Sequence, residues 1–160
     1  MKTRAGFTLL ELLVVITIIG ILSAVGIVNL PRDKFQVREA SRVISADILR
    51  ARSEAIRLNR KVGVTFDLSG NRYFIYIDDE PRDGIPDDGV YILERRLSSE
   101  FPLASLTAAN FSGATRFWFD VRGLPIGWGS ATVSSKGSSN YRLKVDMASQ
   151  GRVRVEKVSP

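Results

Sequence analysis

Two sets of residues in this 160-residue chain are of a type and spacing to do chemistry. The first is a single acid, Glu11, set inside a run that is apolar from Phe7 to Val28 apart from Thr8, Thr17, Ser23 and glycines. A charge in hydrocarbon costs about 2.5–3.5 kcal/mol on insertion scales, so an acid there is expected to have a function. The second set is basic. In YRLKVDM, Leu143 and Val145 alternate with Arg142, Lys144 and Asp146; in RVRVEKV, Val153 and Val155 alternate with Arg152, Arg154 and Glu156. If Ala148-Ser149-Gln150-Gly151 turns the chain, the two runs form a hairpin with one apolar and one charged face, on which Arg142, Lys144, Arg152 and Arg154 lie together. Like charges on facing strands are mildly destabilising, so such a patch asks for a reason. Arginines on a rigid hairpin can contact a nucleic-acid backbone without reading its bases. Equally, Asp146 and Glu156 interleave with the bases and make a soluble face or a subunit contact.

Other chemistry is excluded by composition. There is no cysteine, which removes disulfides and thiolate metal sites, and no histidine, which removes the commonest general base and transition-metal ligand. No nucleophile–base pair can be assembled, so the chain is read as a non-enzyme without a cofactor. The acidic stretch DDEPRDGIPDDG, residues 78–89, invites a calcium reading. Counted from Asp79, Asp83 and Gly84 fall at the fifth and sixth places of a calcium loop. Pro81, however, has no side-chain oxygen for the third, and Val90 stands where a bidentate glutamate is required. A solvated connection without metal is the expectation. Phe117 and Phe119 should face a core and Trp118 the opposite side, with Trp128 more exposed between Gly127 and Gly129. Core or subunit contact is the simpler reading of these aromatics, because base stacking asks for a groove.

Net charge is +6, and setting aside Lys2 and Arg4 leaves 21 basic against 17 acidic residues. Residues 32–61 carry nine bases and four acids, residues 116–157 eight and three, and residues 78–88 six acids and one arginine. The surface is therefore asymmetric rather than uniformly basic.

These residues need elements to position them. Lys2 and Arg4 before the apolar run place the N-terminus in the cytoplasm. The 22 residues from Phe7 to Val28 are long enough to span a bilayer as a helix. Ala24-Val25-Gly26 imitates a secretory cleavage site, and a plain membrane anchor is a further reading, but neither explains Glu11. After Pro31 the sequence turns charged with a helical period. Ala40, Ile44, Ile48, Ala51 and Ala55 form the stripe, widened by Val43 and Leu58, with Glu39, Asp47, Glu54 and five arginines on other positions. Asn29 and Pro31 suggest a bend between two halves of one long helix. Beyond residue 61 the period becomes 2. KVGVTFD and RYFIYID flank an LSGN turn, and VYILER, RFWFD, ATVSS, YRLKVDM and RVRVEKV follow as short strands, with KGSSN (136–140) as a turn or loop. One helix on successive antiparallel strands predicts an α+β head: a long N-terminal hydrophobic helix continuing into a helix packed on small antiparallel β-sheets.

Gly6-Phe7-Thr8-Leu9-Leu10-Glu11, followed by a long apolar helix, resembles the type III leader of type IV pilins and type II secretion pseudopilins. The resemblance implies a leader (1–6), a transmembrane and filament-core helix (7–30) and a soluble head (31–160). It implies that a prepilin peptidase cuts between Gly6 and Phe7, that Phe7 is then N-methylated, and that Glu11 becomes the fifth residue of the mature chain. A buried carboxylate in a helix bundle needs a partner, and the resemblance supplies the new amino group of Phe7, so that Phe7 and Glu11 set register in assembly. ARSEAIRLNRKV, the acidic loop, RFWFDVRGLPIG and the terminal GRVRV narrow the resemblance to the GspH/FimT group of minor pilins and pseudopilins. That group implies a head of one helix against two small sheets, anchored once in the bacterial inner membrane and facing the periplasm until it joins a filament or the cell surface. Its partners would be the peptidase and other pilin or pseudopilin subunits. In the FimT branch a C-terminal Gly-Arg-x-Arg motif is associated with double-stranded DNA binding during natural transformation, and Gly151-Arg152-Val153-Arg154 matches it.

Overall fold

The computed structural model describes residues 8–28, 32–79, 86, 89, 91–137 and 141–158, with backbone alone at 24–28. The chain divides into two units, residues 1–31 and 32–160, and each is taken by itself. Gly6, Phe7, Asn29, Pro31 and most of the acidic loop lie outside the described residues, and with them the cleavage point and the expected bend.

In the first unit, α1 (Leu9–Val28) is a helix of 20 residues whose side chains are exposed as far as Ser23. Its polar residues are arranged to be harmless in an apolar setting. The Thr17 and Ser23 hydroxyls donate back to the carbonyls of Leu13 and Ile19, both at 2.7 Å. Among the described residues no helix is long and apolar enough to cross a membrane. The described side chains of α1 stop at Ser23, while its apolar sequence continues to Val28.

In the second unit the order is α2 (Arg32–Leu58), β1 (Val62–Asp67), β2 (Arg72–Ile77), β3 (Tyr91–Arg96), α3 (Leu97–Glu100), β4 (Ala104–Phe111), β5 (Arg116–Phe119), β6 (Pro125–Ile126), β7 (Gly129–Ser135), β8 (Arg142–Met147) and β9 (Val153–Lys157). Two antiparallel sheets result, ordered β3-β2-β1-β5-β6 and β4-β7-β8-β9. The expected α+β head of one helix on small antiparallel sheets is what the chain forms. The sequence did not signal two strands, the two-residue β6 and β4: ASLTAANF lacks clear alternation, and its pairing with β7 shifts register between Leu106 and Ala108.

The stripe on α2 is buried as its spacing requires. Val37, Ala40, Ile44, Ile48, Ala51 and Ala55 are closed to solvent, and they share one core with both sheets. Asn59, at φ 53°, ends the helix: the Arg60 N–H bonds back to the Ala55 carbonyl at 3.3 Å, the arrangement of a left-handed cap. The sheets meet through aromatic rings. Phe111 from β4 lies against Phe66 of β1 (5.4 Å between centroids) and Phe117 of β5 (4.6 Å).

One correction falls on α2. Asp47, expected on a position outside the apolar stripe, is 7% exposed. It accepts the Tyr73 hydroxyl at 2.6 Å and Arg95 Nε at 2.8 Å, and Arg95 also pairs with Glu100. Burial first, and then the Asp47 carboxylate, push the Tyr73 phenol above its ordinary pKa. A charge within the apolar stripe is thus tolerated because two donors meet it.

The second polar joint is Asn71, which ends the β1–β2 turn at φ 49°. Its Nδ2 donates to the Ala104 carbonyl (3.2 Å), its Oδ1 accepts the Leu106 N–H (2.8 Å), and its backbone carbonyl accepts the Leu97 N–H (2.9 Å). One buried side chain therefore ties the five-stranded sheet to the irregular edge of the other. Asn71→Ala strands the Ala104 carbonyl and the Leu106 N–H without these bonds. It is expected to cost about 2–4 kcal/mol, read as a lowered urea midpoint, whereas Ser69→Ala in the same turn should cost under about 1 kcal/mol.

Candidate functional site

At the head of α1, Thr8 caps the helix. Its Oγ1 accepts the Glu11 N–H at 3.2 Å, and its carbonyl accepts the Leu12 N–H at 3.2 Å. Thr8-Leu9-Leu10-Glu11 has the spacing of a capping box, and a carboxylate in the first turn is favoured by the helix dipole. Sequence reasoning gave Glu11 a role in assembly and missed this local one, although the T-x-x-E spacing was there to find. The Glu11 carboxylate is exposed and has no partner among the described residues, so it is available to one.

The second surface is the β8–β9 hairpin at the edge of the four-stranded sheet. Residues 148–151 turn the chain as expected, the Gly151 N–H bonding to the Ala148 carbonyl (2.8 Å) and the Ala148 N–H to the Arg152 carbonyl (3.0 Å). Leu143, Val145 and Met147 face the core, so Arg142, Lys144 and Asp146 face out. The register pairs Lys144 with Glu156 and Asp146 with Arg154. Each of these bases thus stands opposite an acid, and the expected clash of like charges does not arise. Lys144 is also held by Asp146 at 3.1 Å. Arg142, Arg152 and Arg154 are exposed, and their guanidinium groups make no ion pair or hydrogen bond among the described residues. Of the four predicted bases, three therefore offer free guanidinium groups and one does not.

Gly151, the first residue of Gly-Arg-Val-Arg, has its own reason for being there. It sits at φ 77° and is buried against Arg52 and Pro125, and Arg52 Nη1 donates to its carbonyl at 3.4 Å. Left-handed backbone costs an L-residue about 1–2 kcal/mol.

The acidic loop is described only at Asp78, Asp79, Pro86 and Gly89. Asp78 is fully buried and accepts the Trp118 indole N–H at 2.9 Å. Asp79 accepts the Lys61 N–H (2.6 Å) and Arg60 Nε (2.7 Å). Burial would raise the Asp79 pKa, but the Lys61 N–H and the Arg60 guanidinium prevail and hold it below the usual carboxylate value. Both acids bind the β2 end to the rest of the sheet. Among the described residues no group of three or more acids is placed to hold a metal ion. Phe117 and Phe119 are in the core and Trp118 on the other face, as alternation predicts; Trp128 is 57% exposed.

Residues 40–151 match the family model of the type II transport protein GspH, and residues 1–27 match that of the prokaryotic N-terminal methylation motif. The pilin-like protein PilA1 of Thermus thermophilus is 30% identical over 165 residues, which cover 96% of this chain and 99% of that protein. Two solved structures share the fold. The minor pseudopilin EpsH of the Vibrio cholerae type 2 secretion system has a TM-score of 0.54 at 13% identity, over 76% of this chain and 97% of that one. The type IV minor pilin FimU of Pseudomonas aeruginosa has a TM-score of 0.53 at 13% identity, over 75% and 92%.

Gly151→Ala is expected to lower stability by about 1–2 kcal/mol through its backbone, while Arg152→Gln stays within about 0.5 kcal/mol. Urea titration of the two variants separates the structural residue of the motif from its free charge.

Proposed function

The chain belongs to the GspH family and carries the N-terminal methylation motif, a minor pilin or pseudopilin of the type IV pilus or type II secretion kind, and we propose that it enters its filament after cleavage between Gly6 and Phe7 and methylation of Phe7. The observation that carries this reading is the Thr8-capped start of α1, which sets Glu11 one turn into an apolar helix with its carboxylate unengaged among the described residues. A new amino group at Phe7 would stand four residues before that carboxylate, on the same chain or a neighbouring one. Their pairing neutralises both charges as the helix leaves lipid for a bundle, where an unpaired charge is costly. Before assembly, Phe7–Val28 anchors the chain once in the inner membrane with its basic leader in the cytoplasm and its head in the periplasm. Prepilin peptidase and other pilin or pseudopilin subunits are the partners this path requires, and no catalysis by the head is part of it.

Glu11→Leu tests the path. The variant should be inserted and cleaved as usual, because its helix is more apolar, yet its share in sheared filaments should fall about tenfold or more, since an unpartnered buried charge costs about 3–5 kcal/mol. Unchanged incorporation would refute the pairing.

A second reading, DNA capture by a filament subunit, is favoured by the three free guanidinium groups of Arg142, Arg152 and Arg154. Phosphate contacts release counterions, each lowering the slope of log K against log salt by about 0.9. Binding of a short duplex by the full chain in detergent should fall steeply with salt, and Arg152→Gln with Arg154→Gln should flatten the slope by about 2. No binding at low salt would leave the hairpin as an assembly or solvated face.

A further inference from the structure

Trp128 sits on a backbone held by hydrogen bonds. Its N–H donates to Ser112 Oγ at 3.2 Å, and its carbonyl accepts the Ser112 N–H at 2.9 Å. The next residue, Gly129, runs so close to β4 that a Cβ there would lie 1.9 Å from the Asn110 carbonyl oxygen. The backbone under this indole is therefore fixed, while the side chain itself remains 57% exposed. Trp118 differs: its indole N–H is spent on Asp78, and Arg116 lies over its ring at 5.7 Å.

The register shows what stands beside Trp128. Gly129 pairs with Met147, and Met147 pairs with Val153. Trp128 and Arg152, each one residue before a member of that row, therefore lie at the same end of the sheet, two strands apart. At the usual inter-strand distance their backbones are about 10 Å from each other. Between and beside them stand Ala148 and Ser112, small and polar residues. An interface hot spot of the protein–protein kind lies in a desolvated apolar pocket. Here the backbone that carries the indole is flanked by Ser112 and, across the sheet, by Ala148 and the exposed Arg152, a setting that suits a planar ring carrying a phosphate.

We propose that Trp128 and Arg152 form a site for single-stranded nucleic acid, an unpaired base stacking on the indole while the guanidinium holds a phosphate of the same strand. The proposal rests on the DNA-capture reading and sharpens it. A duplex keeps its bases stacked inside and offers only phosphates to Arg142, Arg152 and Arg154, whereas a single strand adds the stacking term. Base–aromatic stacking tolerates any sequence, because every base has a π-face.

The test uses the full chain in neutral detergent at low salt, with fluorescein-labelled oligothymidylate and a duplex of equal length as probes. Trp128→Ala should weaken oligothymidylate binding about five- to a hundredfold and change duplex binding by no more than about twofold. Trp128→Phe should recover most of the loss, and Arg154→Gln should weaken both probes alike. The near-ultraviolet signal of Trp118 reports that each variant is folded. If Trp128→Ala leaves oligothymidylate binding intact, or weakens both probes equally, the stacking site is wrong and the duplex reading stands. If the variant keeps both probes but loses other subunits on co-purification, the indole is a subunit contact and the proposal falls. If the unaltered chain binds neither probe, the DNA-capture reading itself fails, and the site with it.

Discussion

Small residues on one face of α2 set how closely the helix and the sheets can approach. Ala40, Ser41, Ala51 and Ala55 are fully buried there beside Val37, Ile44 and Ile48. Larger side chains at the small positions would hold the helix off the core, and interiors packed at crystal density relax only partly. Because α2 shares its core with both sheets, the close approach of one helix decides whether the two sheets can meet. Phe111 then reaches from one sheet between rings of the other, and each joint between them follows from that geometry.

The core that results admits few polar groups, and those it admits are specified. Asp47 has a phenol and a guanidinium, Asn71 has a carbonyl and an amide N–H, and Asp78 has an indole N–H. Each is close enough to apolar packing that losing a partner would leave a stranded dipole or charge. The surface follows the opposite rule. Arg142, Arg152 and Arg154 keep their charge in water, and Trp128 keeps its ring partly there, next to Gly129, where the chain runs too close to β4 for a Cβ. Function is accordingly sought where the fold leaves groups unspent: the first turn of α1 and one end of the β8–β9 edge.

Much of this was legible in the residues because periodicity reports burial directly. The α2 stripe, the β1–β2 hairpin and the inward Phe117 and Phe119 follow from spacing alone. Strand β4 was hidden because its bulge and its alanine, threonine and asparagine residues blur the alternation. Asp47 was set apart from the apolar stripe because it is charged, and its burial depends on Tyr73 and Arg95, distant in sequence. The four bases of the hairpin were legible as a set. Their separation into one paired lysine and three free arginines rests on side-chain geometry, Lys144 reaching Asp146 on its own strand while Arg154, opposite the same acid, does not pair with it, which no spacing in the sequence reports. The T-x-x-E cap was readable and was overshadowed by the apolar run around it.

The most direct test is the N-terminal peptide of the chain recovered from cell membranes, sequenced by mass spectrometry. The expected result is a mature chain that lacks residues 1–6 and begins with N-methylated Phe7, so that Glu11 stands one helical turn from a free amino end. A chain that retains Met1, or one that begins after Ala24-Val25-Gly26 with Glu11 removed, would contradict the proposed path into the filament.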